Sequence, residues 1–147
     1  MANNLKPVTI LLVEDETAHA RLIERNLRRG GMENEIKIFS DGAEALDFLL
    51  ARGNYKDRPG PAPLLVLLDI NLPGLSGLDV LEQIKSNPQT RKIPVIMLST
   101  TDAAEEIDRC YELGCNAYIT KPLDYEAFSE TVRGLGMFVQ FLAAPHV

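Results

Sequence analysis

A chain of 147 residues, 46% hydrophobic and 24% charged, has room for one ordinary domain with its own core and is too rich in apolar residues to be disordered. Its net charge of −6, with the basic residues scattered, argues against duplex nucleic acid as a direct partner, because neutralising phosphates needs clustered Lys and Arg. No apolar run approaches the length of a membrane span, and the early run VTILLV is too short for a secretory signal and leads straight into acids, so a cytoplasmic protein is expected.

VTILLV (8–13) is short, β-branched and apolar on both faces, as a strand covered on two sides would be. In TAHARLIERNLRRGG, Leu22, Ile23 and Leu27 recur at helical spacing until Gly30 and Gly31 stop the helix. EIKIFS (35–40) alternates and predicts a half-exposed strand. A helix over 42–52 follows, with Ala45, Leu46, Leu49 and Leu50 as its stripe. GNYKDRPGPAP (53–63) is loop by composition and longer than two elements need for joining. Then come a strand over 64–69, a helix over 76–86 and a strand over 94–99. A helix over 103–113 ends at Gly114, a strand covers 117–119, and a long last helix starts at Asp124. Cys110 and Cys115, with no His or Cys cluster around them, read as two free thiols in a reducing compartment.

Strands and helices in strict alternation imply a parallel sheet covered by helices on both faces, in a doubly wound layout. Ligands in such sheets sit at the carboxyl ends of the strands. That rule bears on LLVLLDINLPG (64–74), where the most apolar run of the chain closes on Asp69. A carboxylate buried without a partner costs several kcal/mol or more, so something must compensate it. The first strand ends in Glu14 and Asp15, the fourth in Ser99, Thr100 and Thr101, and the fifth is followed by Thr120, Lys121 and Pro122. All of these ends open on one edge.

Three carboxylates converging there need a cation, and an all-oxygen donor set suits a hard divalent ion, Mg²⁺ first and Mn²⁺ as an alternative. The backbone carbonyl of Asn71 is a further metal-ligand candidate. A carboxylate beside a divalent ion and a lysine is a nucleophile suited to phosphoryl transfer, with Ser99, Thr100 and Lys121 as phosphate-binding candidates. Each feature alone has a plainer reading: a charge complement to a helix N-terminus for Glu14 and Asp15, a cap for Asp69, a loop hydroxyl for Ser99, a solvated charge for Lys121. Their joint placement at four strand ends is the informative observation. His19 and His146 are isolated and read as surface positions.

ILLVEDE, LLDINLPGLSG, PVIMLSTT and GCNAYITKP resemble, in order and spacing, the receiver domain of bacterial response regulators, over residues 7–137. The resemblance implies a flavodoxin-like fold, a five-stranded parallel sheet in the order 2-1-3-4-5 with five helices. It also implies phosphorylation of Asp69 by the phosphohistidine of a sensor histidine kinase. Mg²⁺ would be bound by Glu14, Asp15 and Asp69, and Lys121 would contact the phosphoryl group. Ser99 would move toward the phosphate while Tyr118 changes rotamer, and a Lys121–Pro122 bond that is often cis is part of the pattern. Glu14, where Asp is commoner, and Ser99, where Thr is commoner, are mild departures. On this reading the protein is a phosphoacceptor that assists its own phosphorylation and slow dephosphorylation, not a turnover enzyme.

ALDFLLARGNYKDRPGPAPLLVLLDINLP, LSTTDAAEEIDRCYELGCNAYITKP and the terminal FVQFLAAP look like the single-domain regulators paired with phytochrome kinases; GLGMF (134–138) departs from that subgroup. With ten residues after Met137, here taken as a C-terminal extension (138–147), no output domain is expected. Output would then be a contact with the kinase, with a histidine phosphotransfer protein, or with a second copy. A homodimer would form through the face of the fourth helix, fifth strand and fifth helix, or through Phe138, Phe141 and Leu142 of the extension. Three rivals fare worse. An aspartyl phosphatase needs a second acid two residues past its nucleophile, where Asn71 stands. A nucleotide or flavin module needs a glycine-rich loop after the first strand, where Glu14 and Asp15 would repel phosphate. A scaffold without phosphorylation needs none of the five polar residues that are present.

Overall fold

A computed structural model describes residues 8–57 and 64–135. Five strands, β1 (Thr9–Val13), β2 (Ile36–Phe39), β3 (Leu64–Asp69), β4 (Val95–Ser99) and β5 (Ala117–Thr120), form one sheet in the order β2-β1-β3-β4-β5, every pairing parallel. The helices are α1 (Thr17–Arg29), α2 (Gly42–Leu49), α3 (Gly77–Ser86), α4 (Ala104–Glu112) and α5 (Tyr125–Gly134). This is the flavodoxin-like architecture and strand order that the sequence implied.

The two-residue period of the strands divides the core. Leu11, Val13, Val66, Leu68, Val95 and Met97 point to one face, where Ala45, Leu46 and Leu49 of α2, Val80, Leu81 and Ile84 of α3 and Cys110 of α4 cover them. Ile10, Leu12, Leu65, Leu67, Ile96 and Leu98 point to the other, under Ala20, Ile23 and Leu27 of α1 and Phe128 and Val132 of α5. All six residues of β3 are buried, as a central parallel strand requires. Each fully buried Leu or Ile contributes about 1.5–3 kcal/mol, so the frame around the strand ends is held by the core and not by the ends themselves. Cys110 and Cys115 are free and buried, and burial pushes their thiols up to about 11 and about 12.

Three local expectations change. Leu22 is 42% exposed, because one helical step of 100° turns it off the stripe that buries Ile23 and Leu27. Helix α2 ends at Leu49, three residues early, where Ala51 adopts a positive φ of 53°. A 3-10 turn at Gly53–Tyr55 then opens the long loop, and the Tyr55 ring packs edge-on against Phe39 and Phe48. On α5, Phe128 and Val132 are fully buried and Leu135 packs beside them. Phe138, Phe141 and Leu142, the extension 138–147 and the loop residues 58–63 lie outside the described residues.

Candidate functional site

The plainer readings do not account for the convergence of the acids. Helix α3 is capped by Ser76, whose hydroxyl accepts from the Asp79 N–H while the Asp79 carboxylate accepts from Ser76, so Asp69 is not needed as its cap. Helix α1 has no side-chain cap and no acid in its first turn; Glu14 and Asp15 precede it. Residues Glu14, Asp15 and Asp69 instead bring carboxylate oxygens within 4.8 Å of one another. Glu14 and Asp69 are buried, at 1% and 4% exposure.

Lys121 is the compensating charge. Its Nζ lies 2.6 Å from Glu14 Oε1 and 3.4 Å from Asp69 Oδ1. The other oxygen of Glu14 accepts the Glu16 N–H at 3.1 Å, so the buried carboxylate is satisfied on both sides. The longer arm of Glu, where Asp is commoner in the resembling family, is what meets the lysine here. Lys121 is placed by the turn after β5, where its N–H donates to the Ser99 carbonyl at 2.7 Å and its bond to Pro122 is cis.

A cavity of about 210 Å³ at this edge is lined by Glu14, Asp15, Glu16, His19, Asp69, Asn71, Thr100 and Lys121. Asn71, expected to offer its carbonyl, lines the cavity, and its N–H lies 3.4 Å from Asp69 Oδ1. Thr100 lines it too, whereas the hydroxyl of the fully buried Ser99 donates to Glu106 Oε2 of α4 at 2.9 Å. The Tyr118 hydroxyl lies 2.6 Å from the Thr101 carbonyl and 3.0 Å from the same Glu106 oxygen. Burial, with Glu106 adding to it, raises the Tyr118 phenol above its usual value, so it stays a proton donor.

Two residues here were not anticipated. His19 is exposed, as its reading as a surface position expects, and it also lines the acid cavity, 3.5 Å from Glu16 and 4.0 Å from Glu14. Glu106 is joined to two of the switch candidates. Neither carries a signal in the sequence, because each arrives through the rotation of a helix face and not through a motif.

Burial raises the Asp69 carboxyl to about 6; the Glu14 charge adds to the rise, and Lys121 and the Asn71 N–H oppose it. A carboxyl raised on folding stabilises the native state below its ordinary value of 3.8, and that contribution is lost as pH climbs through about 6. Metal-free protein should therefore lose thermal stability between about pH 4 and about pH 6, on the order of the shift, and Asp69→Asn should flatten that slope in calorimetric scans.

Sheet order, strand-end acids and lysine together define a receiver domain, and the chain belongs to the response regulator receiver domain family of two-component signalling, whose model matches residues 10–133. Response regulator Rcp1 of Synechocystis sp. is 39% identical over 132 residues, which cover 90% of this chain and 88% of Rcp1. The bacteriophytochrome response regulator AtBRR superposes with a TM-score of 0.82 at 40% identity, over 90% of this chain and 95% of AtBRR. The phosphorylated cyanobacterial phytochrome response regulator RcpA gives 0.74 at 35% identity, over 97% and 98%. A Mn²⁺-bound form of Rcp1 also matches, with a TM-score of 0.74 at 36% identity over 94% of this chain and all of that one. Among the described residues no helix is long and apolar enough to cross a membrane.

Proposed function

We propose that this protein accepts a phosphoryl group from the phosphohistidine of a sensor histidine kinase onto Asp69, with Mg²⁺ or Mn²⁺, and that phosphorylation switches a protein–protein contact. The supporting observation is the convergence of three acids and one buried-stem lysine from the ends of β1, β3 and β5. An Asp69 carboxylate oxygen forms the new O–P bond as the donor's P–N bond breaks, and that bond's electron pair stays on the imidazole nitrogen. Lys121, already placed on Asp69, follows the charge onto the phosphoryl oxygens, and Thr100 and Asn71 wall the cavity that receives them.

The donor set is all oxygen and fits a hard divalent ion, which Glu14, Asp15 and Asp69 would hold, with the Asn71 carbonyl as a further candidate ligand. When bound, that ion offsets the charge of the carboxylates and of the incoming phosphoryl group. The protein turns over no substrate on this reading; it is loaded once and releases phosphate slowly.

Beside the acid cavity, His19, Leu22, Ile23, Thr100, Lys121, Pro122 and Leu123 line a second, mostly apolar cavity of about 240 Å³. Its position next to Asp69 suits the helix that presents the donor histidine, and the exposed Leu22 is its anchor. The likeness to phytochrome regulators makes a phytochrome-type kinase the favoured donor. A histidine phosphotransfer protein would be served by the same face: any protein presenting a phosphohistidine meets the same groups. A second copy would pair through the α4-β5-α5 face, where Tyr111 is 49% exposed, or through residues of the extension.

Incubation with acetyl phosphate and Mg²⁺ tests the reading. Intact mass spectrometry should show a gain of one phosphoryl group that is lost in EDTA and in Asp69→Asn. A chain that stays at its starting mass under those conditions sinks it.

A further inference from the structure

Helix α4 places a carboxylate where the site needs none for holding a cation. Glu106 is about a turn into α4, faces the sheet and is half-buried, while its neighbours Glu105 and Asp108 are exposed. One of its oxygens, Oε2, is met by both Ser99 and Tyr118. Proton counting decides what this means. Ser99 has one hydroxyl proton, and it goes to Glu106 Oε2 at 2.9 Å, while the Ser99 oxygen itself accepts the Thr101 N–H at 3.2 Å. Tyr118 also has one proton, shared between the Thr101 carbonyl at 2.6 Å and Glu106 Oε2 at 3.0 Å.

We infer that Glu106 is a positioning residue that holds the Ser99 proton away from the acid cavity until a phosphoryl oxygen competes for it. The inference rests on Asp69 being the phosphoacceptor. Ser99 sits at the end of β4, the strand paired with β3 so that Asp69 stands opposite Leu98. Rotation about its Cα–Cβ bond is the step that takes its hydroxyl from α4 to the cavity. Doing so exchanges a charge-assisted hydrogen bond with Glu106 for one with the phosphoryl group. Glu106 is then left with the Tyr118 hydroxyl as its donor. The Tyr118 proton, shared until then, is drawn toward the carboxylate, which weakens its hold on the Thr101 carbonyl in the β4–α4 connection. Loading of Asp69 is thereby linked to α4 through one carboxylate.

Beryllofluoride, which stands in for the phosphoryl group on a carboxylate, gives the test. Its apparent affinity in Mg²⁺ is read by ¹⁹F NMR titration of the full chain and of Glu106→Ala, Glu106→Gln, Ser99→Ala and the Ser99→Ala/Glu106→Ala double variant, with thermal melts confirming that each is folded. Removing the competing acceptor should raise affinity at least about ten-fold in Glu106→Ala, the lower end of the scale of one hydrogen bond to a charged group. Glu106→Gln keeps an acceptor and should gain less, and in the Ser99→Ala background the Glu106→Ala gain should vanish. Equal gains in Glu106→Ala and Glu106→Gln, or a gain that survives without the Ser99 hydroxyl, would mean simple removal of negative charge and overturn the inference. So would an affinity unchanged in Glu106→Ala. An unaltered chain that binds no beryllofluoride overturns the phosphoacceptor reading and this inference with it.

Discussion

Lys121→Met should cost the metal-free protein about 3–5 kcal/mol, because it leaves two buried carboxylates without their cation. For a chain of this size that is on the order of 10 °C in Tm. The reason lies in what surrounds the lysine. Glu14 has a side chain of 0% exposure, Asp69 one of 5%, and Lys121 Nζ reaches both. Methionine keeps the apolar stem, so the loss reports charge and not packing. Saturating Mg²⁺ should recover much of the loss, since a bound ion compensates the same carboxylates. Lys37→Met is the control: its pair with Glu35 is solvated on both sides, at 42% and 62% exposure, and its removal should cost no more than about 1 kcal/mol. Urea titrations of the parent and both variants, in Mg²⁺ and in EDTA, measure the two costs and the recovery. A Lys121→Met chain as stable as the parent in EDTA would contradict the charge balance described for the site.

Gly77→Ala is expected to be as damaging for a different reason. A Cβ at Gly77 would stand 2.2 Å from the Asp69 carbonyl oxygen, 2.6 Å from Ile70 Cα and 2.9 Å from the Asp69 carbonyl carbon. None of these is the end of a side chain that can swing aside; all three are backbone atoms of Asp69 and Ile70. The Gly77 N–H also donates to the Ile70 carbonyl at 2.9 Å, so the first residue of α3 is tied to the turn it presses on. Either α3 lifts or the end of β3 shifts, at a cost of about 3 kcal/mol. Stability and Asp69 loading should fall together. Gly134→Ala, where an added Cβ meets nothing within 4 Å, should leave both unchanged. A fully loadable, parent-like Gly77→Ala protein would show that the close approach does not fix Asp69.

The parts of this site that could be read from the sequence are those that a parallel sheet places automatically. Glu14, Asp15, Asp69 and Lys121 follow strands whose apolar runs are plain, and parallel strands deliver their ends to one edge whatever the helices do. Strand limits were legible for the same reason: β3 spans Leu64–Asp69, the bounds its apolar run predicts. Helix-borne residues were harder. His19 and Glu106 look like ordinary surface charges, and what distinguishes them is the angle at which α1 and α4 lie on the sheet, a tertiary quantity. Leu22 shows the reverse error, an apolar residue beside a core stripe that packing leaves outside. Tyr55 was hidden in a loop of unmistakable composition because its structure comes from two rings, Phe39 and Phe48, on β2 and α2.

The most direct test of the central claim is to locate the phosphoryl group. Protein loaded with acetyl phosphate and Mg²⁺ is reduced with borohydride, which converts an aspartyl phosphate to homoserine, and its peptides are then sequenced by tandem mass spectrometry. Homoserine at position 69, in Mg²⁺-treated samples alone, is the predicted result. Label at Glu14, at Asp15 or elsewhere, with Asp69 intact, would contradict the account.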